Sequence, residues 1–404
     1  MAEIQPFQAF RPPPSIAAQV ASPPYDVIST TEARALAADN AVSFLHVSRP
    51  EIDLPEGTDE HSDAVYAMGA RNLHALIADQ ALVQDPEPHL YVYAQRMGDH
   101  RQVGVVGCAS VADYVGDRIK KHEKTRPDKE DDRTRHIEEL GAHDEPVFLT
   151  YRADPGIDAC VREAMAGAPI YDITTADGVE HRLWVLGRSV TTDLCERFGA
   201  VPTLYVADGH HRSAAAARVH KKLRGDGGAH NVFLAVVFPH DQMNILPYNR
   251  VVRDLEGRTP QAILAALGER MRIEPAEHAA PTEPKTFGIY VGGRWYRGRP
   301  RPGSFDPNDP VASLDCSICQ DQILAPLFGV NDPRRDKHVD FVGGIRGVAE
   351  LERRVDGGDF TVAIHLFPTQ MTELMAVSDA GLLMPPKSTW FEPKLRSGLF
   401  VHAF

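Results

Sequence analysis

The sequence contains few cysteines and lacks any long apolar run. Five cysteines are spread over 404 residues, and an odd, low count in a long chain does not suit a disulfide framework. Residues 1–6 show no basic start followed by an apolar run, which is the pattern of a secretory signal. No stretch approaches the roughly 18 apolar residues of a membrane helix. We therefore expect a cytoplasmic protein with no membrane partner.

Basic residues are also outnumbered. Lys and Arg total 43 against 56 Asp and Glu, which gives a formal net charge of −13. A strongly acidic surface repels the phosphates of nucleic acids, so we expect no nucleic-acid partner. One local basic pocket for a small anion stays compatible with this balance. Hydrophobic residues make up 43% and charged residues 25%, the ordinary range for a globular protein.

The succession of apolar and polar segments predicts an α/β fold of mixed α+β type, with helices packed on mixed sheets. Apolar segments rich in Val and Tyr flank Gly98-Asp99 and predict a hairpin. Pro127 and Gly141 suit the start and the end of a polar helix. At roughly 100–200 residues per domain, the chain divides into three expected regions. They are an N-terminal α/β domain (1–116), a nucleotide-binding or catalytic region (117–255) and a C-terminal α/β domain ending in a basic loop (256–404).

The strongest local signal is Asp208-Gly209-His210-His211-Arg212-Ser213. A predicted strand (201–207) ends there, glycine permits a tight turn, and a helix over 211–224 begins. The first amides of a helix lack intrahelical partners and carry partial positive charge, so they form an anion site. Arg212 supplies a fork for phosphate oxygens, and His210 and His211 donate when protonated. Asp208 is a candidate to hold Mg²⁺ or to orient a hydroxyl; alternatively, it only caps the helix.

A second signal is the basic segment 120–126, which contains His122, Glu123, Lys124, Thr125 and Arg126. Basic neighbours favour the charged form of a carboxylate. Glu123 could then accept a proton from a hydroxyl nucleophile while the cations bind phosphates, with His122 as a further catalytic candidate. The alternative, a solvated charged face, weighs equally on the sequence alone.

The C-terminal segment Lys387-Ser388-Thr389 and the cysteine pair of residues 316 and 319 are weaker signals. Basic and hydroxyl side chains in a proline-stiffened loop suit phosphate contact, although anchoring of the tail explains them slightly better. Cys316 and Cys319 could form half of a zinc site. No second pair accompanies them, so buried cysteines are the preferred interpretation.

Four segments together resemble the bacterial and archaeal domain-of-unknown-function family 1015. They are Ser22–Ile28, His122–Thr125, Asp208–Arg212 and Met384–Thr389. The turn also resembles the nucleotide-binding turn of the ParB–sulfiredoxin superfamily, which includes kinases of free serine. This resemblance implies a ParB/sulfiredoxin-like strand–turn–helix with a nucleotide phosphate at Gly209 to Arg212. It also implies a glutamate base upstream of the turn, for which Glu123 is the best match.

These observations lead to the interpretation of the chain as a small-molecule kinase. It would use ATP or ADP with Mg²⁺ and act on a metabolite hydroxyl, and the resemblance implies free L-serine as the acceptor. Phosphoryl transfer depends mainly on positioning and charge neutralisation. Either Glu123 or Asp208 could be the base. A ParB-like nucleotide-binding regulator and a metal-dependent hydrolase are the alternatives, and the sequence does not indicate an oligomeric state.

Overall fold

The computed structural model describes residues 2–223, 228–277 and 280–404. The chain forms two compact units: Met1–Met243 together with Pro393–Phe404, and Asn244–Glu392. The bounds of these two units differ from those of the three regions expected from the sequence. Strands on both sides of residue 116 pair within one sheet of the first unit, and the boundary at 255 falls inside the second unit. Such long-range pairing leaves no local mark in the sequence.

The strands are short, apart from a few that cross the centres of the two main sheets. In chain order they are β1 (Ile4–Gln5), β2 (Phe10–Arg11), β3 (Val83–Gln84), β4 (Tyr91–Met97), β5 (His100–Ser110), β6 (Ile119–Lys120), β7 (Ala142–His143), β8 (Val147–Tyr151), β9 (Tyr171–Thr174), β10 (Glu180–Val185), β11 (Leu204–Asp208), β12 (Val232–Pro239), β13 (Asn244–Leu246), β14 (Tyr248–Val252), β15 (Met271–Pro275), β16 (Phe287–Val291), β17 (Arg294–Pro300), β18 (Val339–Gly343), β19 (Val362–Leu366), β20 (Trp390–Glu392) and β21 (His402–Ala403).

The α-helices range from single turns to four turns. They are α1 (Ala17–Val20), α2 (Thr30–Ala37), α3 (Leu45–Ser48), α4 (Asp63–Ala78), α5 (Val111–Val115), α6 (Pro127–Leu140), α7 (Pro155–Ala164), α8 (Arg188–Ala200), α9 (His210–Leu223), α10 (Pro260–Arg270), α11 (Asp315–Cys319), α12 (Ala325–Phe328), α13 (Gly347–Asp356) and α14 (Met371–Asp379). Within the described residues, none is both long enough and apolar enough to span a bilayer.

The first unit is built on a mixed sheet, which confirms the predicted α/β class. Its strands run in the order β6-β11-β8-β12-β5-β4-β10-β9, with β1 added on β5. The pairs β11–β6 and β12–β8 are parallel, whereas β8 and β11 are antiparallel. All eight residues of β12 are buried, as expected for a central strand with an unbroken apolar run. The predicted hairpin of β4 and β5 is confirmed.

Helices α6 and α9 pack against each other and position the two predicted site segments. Pro127 occupies the first turn of α6, and Gly141 closes the helix in the left-handed conformation with φ 60°, as the sequence predicts. Ile137 of α6 packs with Ala215 and Val219 of α9. This contact brings the loop before α6 beside the start of α9. The predicted end of α9, Arg224, lies outside the described residues.

The second unit contains a six-stranded antiparallel sheet in the order β15-β17-β16-β19-β14-β18. Helix α13 covers one face through the cluster that contains Leu351, Val251 and Ala363. A separate two-stranded ladder joins β13 to β20. The helix predicted over 313–328 is present as α11 and α12, joined by a π-helical turn at Gln320–Leu324.

Candidate functional site

The candidate site is the strand–turn–helix formed by β11, Gly209 and α9. Asp208 ends the strand, and its Oδ1 accepts the N–H of Gly209 at 2.8 Å. The N–H of Ser213 donates to the carbonyl of Gly209 at 3.0 Å, as the first backbone bond of the helix. The amides of residues 210–212 therefore precede the intrahelical ladder. The start of a fourteen-residue helix is thus directed at the end of the strand, in the geometry that binds anions.

Gly209 permits this turn for two reasons. Its φ is +92°, a conformation that side chains of L-residues rarely adopt. A Cβ atom built on it would also lie 3.1 Å from the guanidinium of Arg212. The absence of a side chain therefore lets the guanidinium pack directly on the turn.

Arg212 is buried, with only 9% of its surface exposed. Its Nη1 donates to the carbonyl of Pro146. Burial by itself lowers the pKa of Arg212, but Glu145, Asp26 and Asp208 raise that pKa above its ordinary value. The sequence predicts an arginine that presents its fork to a phosphate. The structure instead surrounds Arg212 with carboxylates, so its contact with a phosphate stays a prediction.

Glu145 is a site residue that the sequence analysis missed. It is 5% exposed, and its Oε1 accepts the N–H of Tyr25 at 3.0 Å and the hydroxyl of Ser397 at 2.8 Å. Its Oε2 has no hydrogen-bond partner among the described residues. Burial raises the pKa of Glu145 to about 7, against the lowering effect of Arg212. The local signal is its position two residues before the start of the buried strand β8.

A small cavity borders Glu145 and Arg212. Its volume is about 10 Å³, and Arg133, His136 and Asp144 also line it. This is about the space that one water molecule needs. The unpartnered oxygen of Glu145 lies in a polar surrounding that suits such a water.

Asp208 is held by a lysine from the end of the chain. The Nζ of Lys394 donates to its Oδ2 at 2.9 Å. Burial raises the pKa of Asp208, but Lys394 and then Arg212 lower it well below the ordinary range. Asp208 is therefore ionised at neutral pH and is a poor proton acceptor. Both of its oxygens already have partners. A Mg²⁺ ion bound to Asp208, as the sequence predicts, would have to share or replace one of these contacts.

His122 and His210 lie together in the interior beside the turn. They are 2% and 5% exposed, and their ring centroids are 4.4 Å apart with the planes at 88°. Burial lowers the pKa of His122 to about 4 and that of His210 well below its ordinary value. The sequence indicated that His210 can donate when protonated. Burial of the ring disfavours that charged form, and the role of His210 as a donor stays a prediction.

Glu123 belongs to the same cluster. The ligand atoms of His122, Glu123 and His210 all lie within 4.8 Å of one another, and Glu123 is the exposed member. Asp208 is close enough for its charge to act on both imidazoles. The structure therefore brings together the predicted site residues of the segment 120–126 and of the turn, although 87 residues separate Glu123 from His210.

The remaining predicted residues near the turn have local partners. The N–H of Arg126 donates to His211 Nε2 at 3.2 Å, which ties the basic segment to α9. Burial lowers the pKa of His211. Most of the other residues predicted to contact phosphate also have partners close to them in the sequence. Thr125 donates to Glu130, Arg126 pairs with Asp128 at 2.6 Å, the Ser213 hydroxyl donates to helix carbonyls, and Lys124 is exposed.

Lys387, Ser388 and Thr389 lie in the second unit. The Nζ of Lys387 is 5.5 Å from the ring centre of Tyr248, and the Ser388 hydroxyl donates to the carbonyl of Pro385 at 2.6 Å. Ser388 also lies 3.1 Å from the sulfur of Cys316. Cys316 and Cys319 are free, buried thiols. The phosphate contact proposed for the loop stays a prediction.

The family described as "Protein of unknown function (DUF1015)" matches residues 4–317 of the sequence. The chain belongs to this family. The match confirms the resemblance to this family and covers three of the four sequence segments, whereas Met384–Thr389 lies beyond the matched residues. No curated protein matches this DUF1015 protein significantly.

Several solved structures resemble this DUF1015 protein distantly, and each alignment covers 73% of the DUF1015 chain. A mutant free serine kinase in complex with ADP is 12% identical, with 92% of its own chain covered and a TM-score of 0.34. A C-terminally truncated SbnI from Staphylococcus aureus is 13% identical, with 86% covered and a TM-score of 0.38. A conserved hypothetical protein from Pyrococcus furiosus is 12% identical, with 95% covered and a TM-score of 0.34. Similarity at this level assigns no activity to the chain.

Proposed function

We propose that this DUF1015 protein is a small-molecule kinase that transfers a phosphoryl group from a nucleotide to a metabolite hydroxyl. One observation carries the proposal. The start of α9, whose first amides precede the intrahelical ladder, adjoins an exposed carboxylate, Glu123, through the buried His210. An anion site next to a proton acceptor is the minimum that phosphoryl transfer requires, since positioning and charge neutralisation supply most of its catalysis.

The turn fits the phosphates of ATP or ADP. Gly209, at φ +92°, directs the chain from the strand into the helix and lets the Arg212 guanidinium pack on the turn. The amides of residues 210–212 would donate to phosphate oxygens. Lys394, 2.9 Å from Asp208, adds a positive charge at the same turn. A bound nucleotide supplies the phosphoryl group, and these residues would orient it.

Glu123 is the proposed general base. The pKa of Asp208 is lowered by Lys394 and Arg212 against the effect of burial, so its carboxylate holds a proton too weakly to serve well. Glu123 is exposed, and an acceptor molecule has access to it from solvent. It would take the proton of the acceptor hydroxyl as the oxygen attacks. Free L-serine is the proposed acceptor, on the strength of the resemblance between the turns.

Mg²⁺ is the proposed cation, and Asp208 is its proposed ligand because Mg²⁺ prefers oxygen. Binding of Mg²⁺ to Asp208 requires that Lys394 give up its contact with this carboxylate. Each carboxylate oxygen has more than one lone pair, so Asp208 accepts a cation once Lys394 moves to a phosphate. In that arrangement Lys394 would change partners from Asp208 to the nucleotide.

A metal-dependent hydrolase is the second candidate function. The sequence shows no set of histidines and carboxylates with convincing ligand spacing. The fold nevertheless assembles one from His122, Glu123 and His210. The ParB-like regulator gains no such observation, and the net charge of −13 disfavours tight DNA binding.

The kinase proposal is tested by incubating the full-length protein with ATP or ADP, Mg²⁺ and a panel of hydroxylated metabolites. Formation of a phosphate ester is followed by phosphorus NMR and mass spectrometry. We expect a product with L-serine and none with L-alanine, which differs only by the missing hydroxyl. Failure of every acceptor, together with no calorimetric signal for ATP or ADP, would reject the proposal. Hydrolysis of esters without nucleotide would favour the hydrolase.

A further inference from the structure

The interior beside the turn contains an unusual group of unpartnered polar atoms. Both ring nitrogens of His122 and the Nε2 of His210 have no hydrogen-bond partner among the described residues. Both side chains are at least nine-tenths buried. More than nine in ten buried polar groups in proteins are hydrogen-bonded. Several exceptions at one place indicate a partner that the chain itself does not supply.

The two imidazoles are fixed by different elements. His210 is the first residue of α9, and His122 lies in the loop between β6 and α6. The N–H of Arg126 donates to His211 at 3.2 Å, which holds that loop against the helix. The rings meet edge to face, with centroids 4.4 Å apart.

We propose that His122, Glu123 and His210 bind one divalent transition-metal ion of the zinc class, through two imidazole nitrogens and one carboxylate oxygen. The ligand atoms already lie within 4.8 Å of one another. Donors at about 2.0–2.2 Å from a tetrahedral metal lie roughly 3.3–3.6 Å from each other. Side-chain movements of up to roughly an ångström would close the three groups on one ion.

The ligand types select the metal. Imidazole suits zinc, copper, iron and nickel, whereas Mg²⁺ takes oxygen ligands. The ring nitrogens of His122 and His210 that lack a hydrogen-bond partner among the described residues are available to such a metal. Three protein ligands leave a coordination position open, as in catalytic zinc sites. The exposed position of Glu123 places this opening towards solvent, where water or a phosphate oxygen could enter.

This inference does not rest on the kinase proposal, but the two share Glu123. A carboxylate bound to a metal is a weaker base than a free one, so a bound metal and proton abstraction compete for Glu123. Asp208, whose charge acts on both imidazoles, would help to hold the cation electrostatically. The two proposals therefore fail separately: nucleotide binding is measured without the metal, and metal binding without nucleotide.

The test uses the full-length protein, freed of metal by dialysis against a chelator. Co²⁺ is titrated while visible absorption is followed, and Zn²⁺ affinity is obtained by calorimetry. We expect one ion per chain, with Mg²⁺ in excess unable to displace it. Loss of an outer-shell partner alone weakens metal binding by about 10–100-fold. Removing an imidazole ligand in His122→Ala or His210→Ala should therefore weaken it by at least about 100-fold.

His365→Ala is the matched control. His365 is also buried and has one ring nitrogen without a partner among the described residues, but it lies in the second unit. This variant should keep the wild-type Co²⁺ affinity. Equal affinity in His122→Ala, His210→Ala and the wild type would overturn the proposal.

A measurement on the wild type covers the case in which the variants do not fold. Zinc bound to the protein is studied by X-ray absorption, which distinguishes imidazole from carboxylate and water ligands. We expect two imidazoles and a shell of nitrogen and oxygen without sulfur. A shell with no imidazole, or no stoichiometric binding of Zn²⁺ or Co²⁺, would overturn the site. ATP affinity of the metal-free protein, measured in parallel, reports on the proposed function alone.

Discussion

Two charged segments of the first unit contain similar residues in opposite surroundings. The segment 120–126 is largely at the surface, with Glu123, Lys124 and Arg126 exposed. The segment 208–213 is largely interior, and Arg212 is 9% exposed. In the first segment an ion pair forms between neighbours, as between Arg126 and Asp128. In the second, the charges are compensated by residues far away in the sequence, such as Lys394 for Asp208.

This difference in surroundings distinguishes a structural role for charged residues from a role in ligand binding or chemistry. A buried charge needs a partner, because removal from water costs far more than a surface ion pair returns. Arg212 and Asp208 therefore hold the turn in shape. Glu123 is exposed, so a ligand has access to it from solvent. The buried segment therefore forms the architecture of the site, and the exposed segment is the proposed source of groups for chemistry.

Replacement of Glu123 should have the largest effect on catalysis. Glu123→Gln keeps the size and hydrogen bonding of the side chain but removes its charge. If Glu123 is the base, turnover falls by about 10²–10⁴-fold, while ATP affinity changes little. Steady-state rates and calorimetry check this, with metal content measured because Glu123 is also a proposed ligand. Glu139→Gln, at an exposed position of α6, is the control and should leave both quantities unchanged. Near-normal turnover would move the search to another acceptor.

Replacement of Arg212 should have the largest effect on stability. Arg212→Met keeps much of the side-chain volume but removes the buried positive charge that acts on Glu145 and Asp208 and the donor to the carbonyl of Pro146. Loss of a hydrogen bond made by a charged group costs about 1.5–3 kcal/mol. Lys124→Met, in the exposed segment, should change the free energy of unfolding by no more than about 0.5 kcal/mol. Urea denaturation measures both. Equal values for the two variants would contradict the contrast between the segments.

The pH dependence of stability should identify Glu145 as the buried acid. Burial raises its pKa from 4.5 to about 7, with Asp144 and Asp26 acting in the same direction and Arg212 and Arg133 opposing. The folded state therefore binds this proton more tightly than the unfolded state. The resulting contribution to stability is complete below pH 4.5 and is lost as the pH rises to 7.

Glu145→Gln, which mimics the protonated acid, removes this dependence. Over the interval from pH 4.5 to 7, the free energy of unfolding of the wild type should fall relative to the variant. The relative slope is at most about 1.4 kcal/mol per pH unit for one proton. Denaturation curves at several pH values give this slope. Parallel pH profiles for wild type and variant would show that the pKa of Glu145 is not raised.

The sequence predicts the local parts of the site and not its long-range partners. Pro127 and Gly141 mark the ends of α6, and Gly209 marks the turn, because backbone conformation at these positions depends on the residue itself. Glu145 reaches Arg212 through the antiparallel pairing of β8 with β11, and Lys394 reaches Asp208 across 186 residues. Nothing in a local pattern encodes either contact. The lowered pKa values of His122 and His210 likewise follow from burial, which is a property of the folded chain.

Replacement of Gly209 should have the smallest effect on the free energy of unfolding. Its sign should be opposite to that of a matched glycine replacement within a helix. Gly209→Ala places a side chain at φ +92° and 3.1 Å from the Arg212 guanidinium, so we expect a loss of about 1–2 kcal/mol in the free energy of unfolding. Gly199→Ala is the matched control: its added Cβ meets nothing within 4 Å, and it lies within α8. There the substitution should stabilise the protein by about 0.5–1 kcal/mol, because alanine is the better helix former. Thermal and urea unfolding of both variants compare the two signs. A neutral Gly209→Ala with unchanged ATP affinity would mean that the turn relaxes freely, and the buried segment would then not be the rigid part of the site.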